Sequence, residues 1–448
     1  MARRGDMLLL ACLVLGLLAA RVAAVHWTMA HAPESVFVFD SRDYENTALA
    51  LLETGRFAVS PDQPATPQIR RTPGYPAFIF EVYKYFGSNR LALLDIQAAL
   101  SVLTVIFVFH LGLYRWGRGG AWAAALIFAL DPVSFIYSGM ILSETLFTLL
   151  LVAALVGLSG AIDRSGPKMC ALSGGAMLAF ATLTRPIAYF LVFPIAVWMA
   201  FTRGRAAFKL IPLMLLPYAA LVGGWQYYNY TRTCRPVLST IGELNMFDYR
   251  AAGVVALRDG ISIQEARARL NETVPPHLSP AERDRWMGRE GTRIVLEHPA
   301  LALRTQVVGL FKMLFGPADA ATREFLYGRF GNFGSVGWMF KTAASPETLG
   351  WLAAHPAELA RMAYVQLYGL LVYVLLVAAL WVIWRRPEAR SPALDWLLWG
   401  AILYFVVISA GPEANPRFRV PIMPVMAVVA GVAGLLPSLP GGWKKGKK

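Results

Sequence analysis

A chain of 448 residues, 56% of them hydrophobic and only 16% charged, falls outside the range of soluble globular proteins and inside that of integral membrane proteins. Its formal charge of +14 does not mark a nucleic-acid binder, because the basic residues bunch in short runs between apolar segments and no basic face carries an aromatic platform. Cys12, Cys170 and Cys234 form no CxxC pair and His26, His31, His110, His277, His298 and His355 are scattered, so neither a disulfide framework nor a zinc site is indicated.

In chain order, the apolar run from Met7 to Val25 follows Arg3 and Arg4 and is long enough to span a bilayer, as a retained signal anchor rather than a cleaved signal peptide. From Ser41 to Thr54, Tyr44, Ala48, Leu49, Leu51 and Leu52 form a helical stripe that ends at Gly55, which predicts a helix lying on the membrane surface. Asp40 falls at its N-cap and Asp43 at the N3 position, where carboxylates suit capping and the helix dipole. The turn Pro73-Gly74-Tyr75-Pro76 opens a second interfacial helix running to residue 87, with Arg70 and Arg71 just ahead of it; its Phe78, Tyr83, Tyr85 and Phe86 suit the headgroup zone.

Further apolar segments lie near 91–113, 120–140, 144–162, 170–184, 186–201, 207–228, 361–384, 393–410 and 418–437, which makes about ten spans with the first. Asp131, before Pro132, marks a local helix break. The stretch 301–316 is expected to be an interfacial amphipathic helix, because a span there would put the last two basic loops outside.

With the N-terminus inside, the cytoplasmic loops carry Arg115 and Arg118, Arg164 and Lys168, Arg203, Arg205 and Lys209, and Arg385, Arg386 and Arg390, followed by the lysine-rich tail. That sidedness predicts a multi-pass protein of the plasma (inner) membrane with both termini cytoplasmic. The expected fold is an all-α polytopic membrane protein in three parts. Residues 1–228 form a transmembrane module of seven spans with a first outer loop at 26–90. Residues 229–360 form a mostly helical extracytoplasmic insertion, and 361–448 a module of three spans with a basic tail.

The charges left on the outer face are the informative ones. Asp40 and Asp43 stand in the first outer loop and Glu144 at the next hairpin; Arg70, Arg71, Arg185, Arg417 and Arg419 come from three separate outer loops. Outward-facing arginines run against the charge bias and call for a counter-anion. Together these groups suit transfer from an anionic lipid, a carboxylate taking the proton of an incoming hydroxyl while arginines stabilise a phosphate leaving group. A transporter or lipid flippase for a glycolipid or lipid-linked sugar is the alternative, but such proteins place their polar sites near the bilayer midplane and often repeat their halves.

The motifs DSRDY (Asp40 to Tyr44), RTPGYP (Arg71 to Pro76), LSETLF (Leu142 to Phe147), LTRP (Leu183 to Pro186) and RFRVPIMP (Arg417 to Pro424) occur in an order that resembles the GT-C membrane glycosyltransferases. The likeness is to the branch with protein O-mannosyltransferases and lipid A aminoarabinose transferases. It implies a polyprenyl-phosphate-linked sugar donor, a lipid, glycan or protein acceptor, and an inverting single displacement. By the same resemblance Asp40 and Glu144 correspond to the catalytic acids, with Arg417 and Arg419 as donor-phosphate contacts; Asp43, Tyr44, Arg70, Arg71, Tyr75 and Arg185 complete the expected substrate site. No cofactor is implied, and a divalent cation bridging Asp40 and Glu144 is left open. The chain reads Asp-Ser where many relatives read Asp-Glu, so metal and substrate preference do not carry over.

Overall fold

The computed structural model describes residues 4–38, 40–162, 168–316, 356–386 and 391–438. The described residues are helical apart from their connections and one isolated bridge between Ala58 and Pro67. Arg164, Arg390, His355 and the lysine-rich tail lie outside them.

Among the described residues, seven apolar helical runs are long enough to cross a membrane: Arg4–His31, Arg90–Ala129, Glu144–Ile162, Pro186–Thr233, Leu359–Arg385, Pro392–Ser409 and Pro416–Leu435. Two of these contain a reversal. Arg90–Ala129 breaks at Gly117, whose φ of 74° only glycine adopts cheaply, and Gly112 then packs on Ala121 across the hairpin. Pro186–Thr233 is interrupted at 204–206, where Gly204 has a φ of 50°. Counting the arms separately and adding the shorter Met169–Thr184 accommodates the segments expected from hydropathy. Asp131 does mark a break: it caps the helix Pro132–Ser138, accepting from Ser134 N at 2.8 Å. Pro299–Phe315 buries only Thr305, Gly309 and Met313, a single narrow stripe. That suits a helix resting on the bundle rather than crossing within it.

The bundle has two distinct ends. At one end Arg118 pairs with Asp6 at 2.7 Å and Arg115 with Asp395 at 2.6 Å, which ties one basic hairpin to two helix starts. At the other end two surface helices, α1 (Ser41–Thr54) and α2 (Gly74–Phe86), pack on each other, and the loop between them reaches the helical insertion of residues 241–297. Arg70 joins the two regions. Its guanidinium forks onto Asp284 with contacts of 2.8 and 3.2 Å, and Thr240 donates to the same carboxylate at 2.7 Å.

α1 begins and ends where expected, and Gly55 closes it with a φ of 67°. α2 departs in one respect: Tyr85 and Phe86 are exposed as headgroup residues should be, but Tyr83 is buried, donating to Glu45 Oε1 at 2.6 Å while Arg90 forks onto the same carboxylate. A tyrosine with a buried hydroxyl needs a partner, and Glu45, itself buried on α1, supplies it.

Candidate active site

Asp40 occupies the N-cap position of α1 without capping it. Its side chain accepts from none of the helix's free N–H groups, and its backbone is αR rather than extended. The carboxylate instead turns sideways, taking Arg71 Nη2 on Oδ1 at 2.8 Å and Arg417 Nη2 on Oδ2 at 3.2 Å. Burial alone would raise its pKa. The charges of Arg417, Arg71 and Arg185 outweigh that and hold the carboxyl below its ordinary value.

Arg71 is fixed from three sides. Asp43 Oδ2 receives its Nε and Nη2 at 3.2 and 2.7 Å, Asp40 receives Nη2, and the guanidinium lies 5.3 Å from the centre of the Tyr44 ring. Tyr44 is held in turn by the Ser143 hydroxyl at 3.3 Å and by edge-to-face packing on Tyr75.

Behind this layer stands Glu144, the first residue of helix Glu144–Ile162 and fully buried. Its Oε1 accepts from both Arg185 Nη1 and Arg417 Nε. Arg185 Nη1 also donates to Ser143 at 3.1 Å. The local sequence explains the convergence. Arg185 ends its helix because Pro186 follows, Arg417 opens the last membrane segment behind the Asn415 cap, and Glu144 starts its own helix. Three helix boundaries meet at one level, so charged side chains reach each other without entering the apolar layer.

These groups form one wall of a cavity of about 790 Å³. Asp40, Tyr44, Arg71, Arg185 and Arg417 line it; Glu144 and Asp43 do not, and each instead holds an arginine from behind. Ile187, Phe190, Ile408 and Phe418 supply an apolar part of the lining, while Gln226, Ser409, Arg250, Glu413 and Asn415 add polar groups. Arg185 engages the protein through Nη1 alone among the described residues, which leaves Nε and Nη2 for an anion.

Residues 70–223 match a family model described as dolichyl-phosphate-mannose-protein mannosyltransferase, a segment that holds Arg71, Glu144 and Arg185. Among solved structures, the apo oligosaccharyltransferase of Archaeoglobus fulgidus matches with a TM-score of 0.50 at 13% identity, over 95% of this chain and 51% of that one. The chain has the fold of the GT-C membrane glycosyltransferases. ArnT from Cupriavidus metallidurans bound to undecaprenyl phosphate matches at a TM-score of 0.46 and 10% identity, over 97% of this chain and 78% of that one. The Archaeoglobus fulgidus oligosaccharyltransferase AglB, in complex with an inhibitory peptide and a dolichol-phosphate, gives 0.46 and 12%, over 97% and 52%. The chain spans about half the length of the archaeal enzymes it matches. No curated protein sequence matches it.

Within the GT-C fold, three residues expected in the substrate site, besides Asp43, lie elsewhere. Arg70 is committed to Asp284. Tyr75 is fully buried beneath Tyr44 and donates to Gln97. Arg419 is buried beside Gly369 and donates to Leu314 O at 2.9 Å. All three stand off the cavity lining. A cation bridging Asp40 and Glu144 does not fit these residues, because the Arg417 guanidinium already lies between the two carboxylates and bonds both. Arg250 and Glu413, paired at 3.3 Å in the cavity lining, were missed by sequence reasoning. Glu413 sits four residues ahead of Arg417 in a loop already singled out, and an acid there was the available signal.

Proposed function

We propose that the chain transfers a sugar from a polyprenyl monophosphate to an acceptor hydroxyl, with the cavity end on the extracytoplasmic side. One observation carries the reading: Asp40 stands where a capping aspartate would, yet its carboxylate is turned into the cavity and kept ionised between two arginines. A capping role would have used that carboxylate on the helix N–H groups. The orientation is supported by the basic hairpin of Arg115 and Arg118 at the opposite end.

In this mechanism Asp40 is the base. The acceptor hydroxyl attacks the anomeric carbon from the face opposite the phosphate and gives its proton to Asp40 as the new C–O bond forms. The bond between the anomeric carbon and the phosphate oxygen breaks with its electrons going to oxygen, and polyprenyl phosphate leaves with inversion at the sugar. Arg185, with two uncommitted nitrogens, and Arg417 receive the charge developing on that phosphate. Glu144 is a positioning residue, holding both arginines from behind. The apolar wall of Ile187, Phe190, Ile408 and Phe418 suits the first isoprene units.

Mass spectrometry of envelope glycolipids, glycans and glycoproteins, with the gene and without it, tests the proposal. The account expects one glycan class to lose a sugar while the matching polyprenyl-phosphate sugar accumulates. Identical profiles in both, with the donor present, would remove the transferase reading.

A further inference from the structure

A second cleft, of about 560 Å³, adjoins the first, and Gly242 and Met246 line both. Its charged lining is Arg235, Glu243, Arg285 and Arg289. Arg285, Gly288, Arg289 and Thr292 recur at helical spacing on Pro280–Glu297, so they share one face of that helix. Gly288 lets this face come close to the short helix Ile241–Asn245, since a Cβ there would sit 2.8 Å from Glu243 Cγ. Glu243 is already taken by Arg235, at 2.5 and 3.2 Å.

The other acids of Pro280–Glu297 are also occupied. Glu282 closes the capping box with Ser279, Asp284 holds Arg70 and Thr240, and Glu290 and Glu297 both hold Arg293. Among the described residues Arg285 and Arg289 therefore have no acidic partner. Three arginines facing one glutamate leave the cleft with excess positive charge, next to the cavity where the acceptor must enter.

We propose that this cleft anchors the acceptor by a phosphate group, which makes the acceptor a phosphorylated glycan or glycolipid; the identity as acceptor rests on the transferase reading above. Two uncommitted guanidinium forks about one helical turn apart match an anion that offers several oxygens and nearly two charges. The shared wall then sets the phosphate a short distance from the hydroxyl presented to Asp40.

The test uses the full chain in phosphatidylcholine nanodiscs, with glucose 6-phosphate, glucose and glucuronate as probes in equilibrium titrations. Glucose 6-phosphate should bind at least about tenfold more tightly than either other sugar, as charge-assisted contacts imply. Arg285→Gln with Arg289→Gln should abolish that preference, and the double lysine variant should keep part of it. Both side chains are exposed and have no acidic partner among the described residues, so the variants should insert and fold as the parent does. Three results would overturn the proposal: an unchanged preference in the double glutamine variant, glucuronate binding as tightly as the phosphate, or loss of binding when phosphatidylglycerol is added to the discs. The last would assign the cleft to bilayer headgroups. Consumption of polyprenyl-phosphate sugar by the same preparation separates the two readings. Phosphate binding without donor turnover removes the transferase and leaves the anion cleft, and turnover without phosphate binding does the reverse.

Discussion

Glu144→Gln strikes the most desolvated point of the charge cluster. The Glu144 and Arg417 side chains are 1% and 4% exposed, and Arg185 is 16% exposed. Glutamine keeps the shape and an acceptor oxygen but leaves two guanidinium groups without the charge they share. Removing one partner of a buried ion pair costs about 3–5 kcal/mol. Arg417 keeps Asp40 at 3.2 Å and Arg185 keeps some water, which puts the expected loss near the lower end, about 3 kcal/mol. Unfolding by SDS in mixed micelles measures it. Asp43→Asn is the control: Asp43 is 55% exposed, and its loss should cost under about 1 kcal/mol. Adding Arg185→Gln to Glu144→Gln should recover part of the loss, because it removes one of the stranded charges. A Glu144→Gln protein within about 1 kcal/mol of the parent, with no coupling to Arg185, would refute the idea that this carboxylate holds the arginines in place.

Other consequences follow from the same geometry. Because Asp40 has a folded pKa below its unfolded one, its contribution to stability is present above the unfolded value and lost as pH falls through the folded one; turnover should hold from neutrality down to about pH 4, and an acidic limb centred near pH 6 would contradict this. Glu413 is shifted the other way by burial, only partly countered by Arg250, so stability should fall as pH rises past its unfolded value; Glu413→Gln should flatten that slope in unfolding measured across pH. Gly309→Ala should destabilise by about 1–3 kcal/mol in the same SDS assay, since a Cβ there runs into the backbone of Gly411 in the loop leading to Arg417. Reporter fusions after Gly119 and Arg205 should register as cytoplasmic and those near Gly74 and Asp284 as external; a cytoplasmic signal at Gly74 would invert the proposed orientation.

The architecture was largely legible because hydropathy and short-range signals decide it. Gly55, Pro132 and Pro186 act on their own neighbours, and helix boundaries followed from them. What the sequence left open was which charges pair across hundreds of residues. Arg70 and Arg71 are adjacent and chemically identical, yet one meets Asp284, 214 positions away, and the other meets Asp40. Arg417 and Arg419 differ as sharply: two residues along a tight 3₁₀ turn point in different directions, so only Arg417 reaches the cavity. Tyr83 was misplaced because an amphipathic residue suits a headgroup zone and a hydrogen-bonded interior equally well, and only Glu45 distinguishes them.

Donor turnover by Asp40→Asn tests the central claim most directly. Asparagine keeps the shape and still accepts a hydrogen bond from Arg71, but it cannot take a proton from the acceptor. Purified parent and variant would be given a polyprenyl-monophosphate sugar and an envelope extract as acceptor pool, and the release of polyprenyl phosphate followed. The account predicts a variant that inserts and folds, losing only the stability of the Asp40 ion pairs, yet turns over about 10²- to 10⁴-fold more slowly. Near-full turnover by the Asp40→Asn protein would contradict it and send the search for the base elsewhere along the cavity wall.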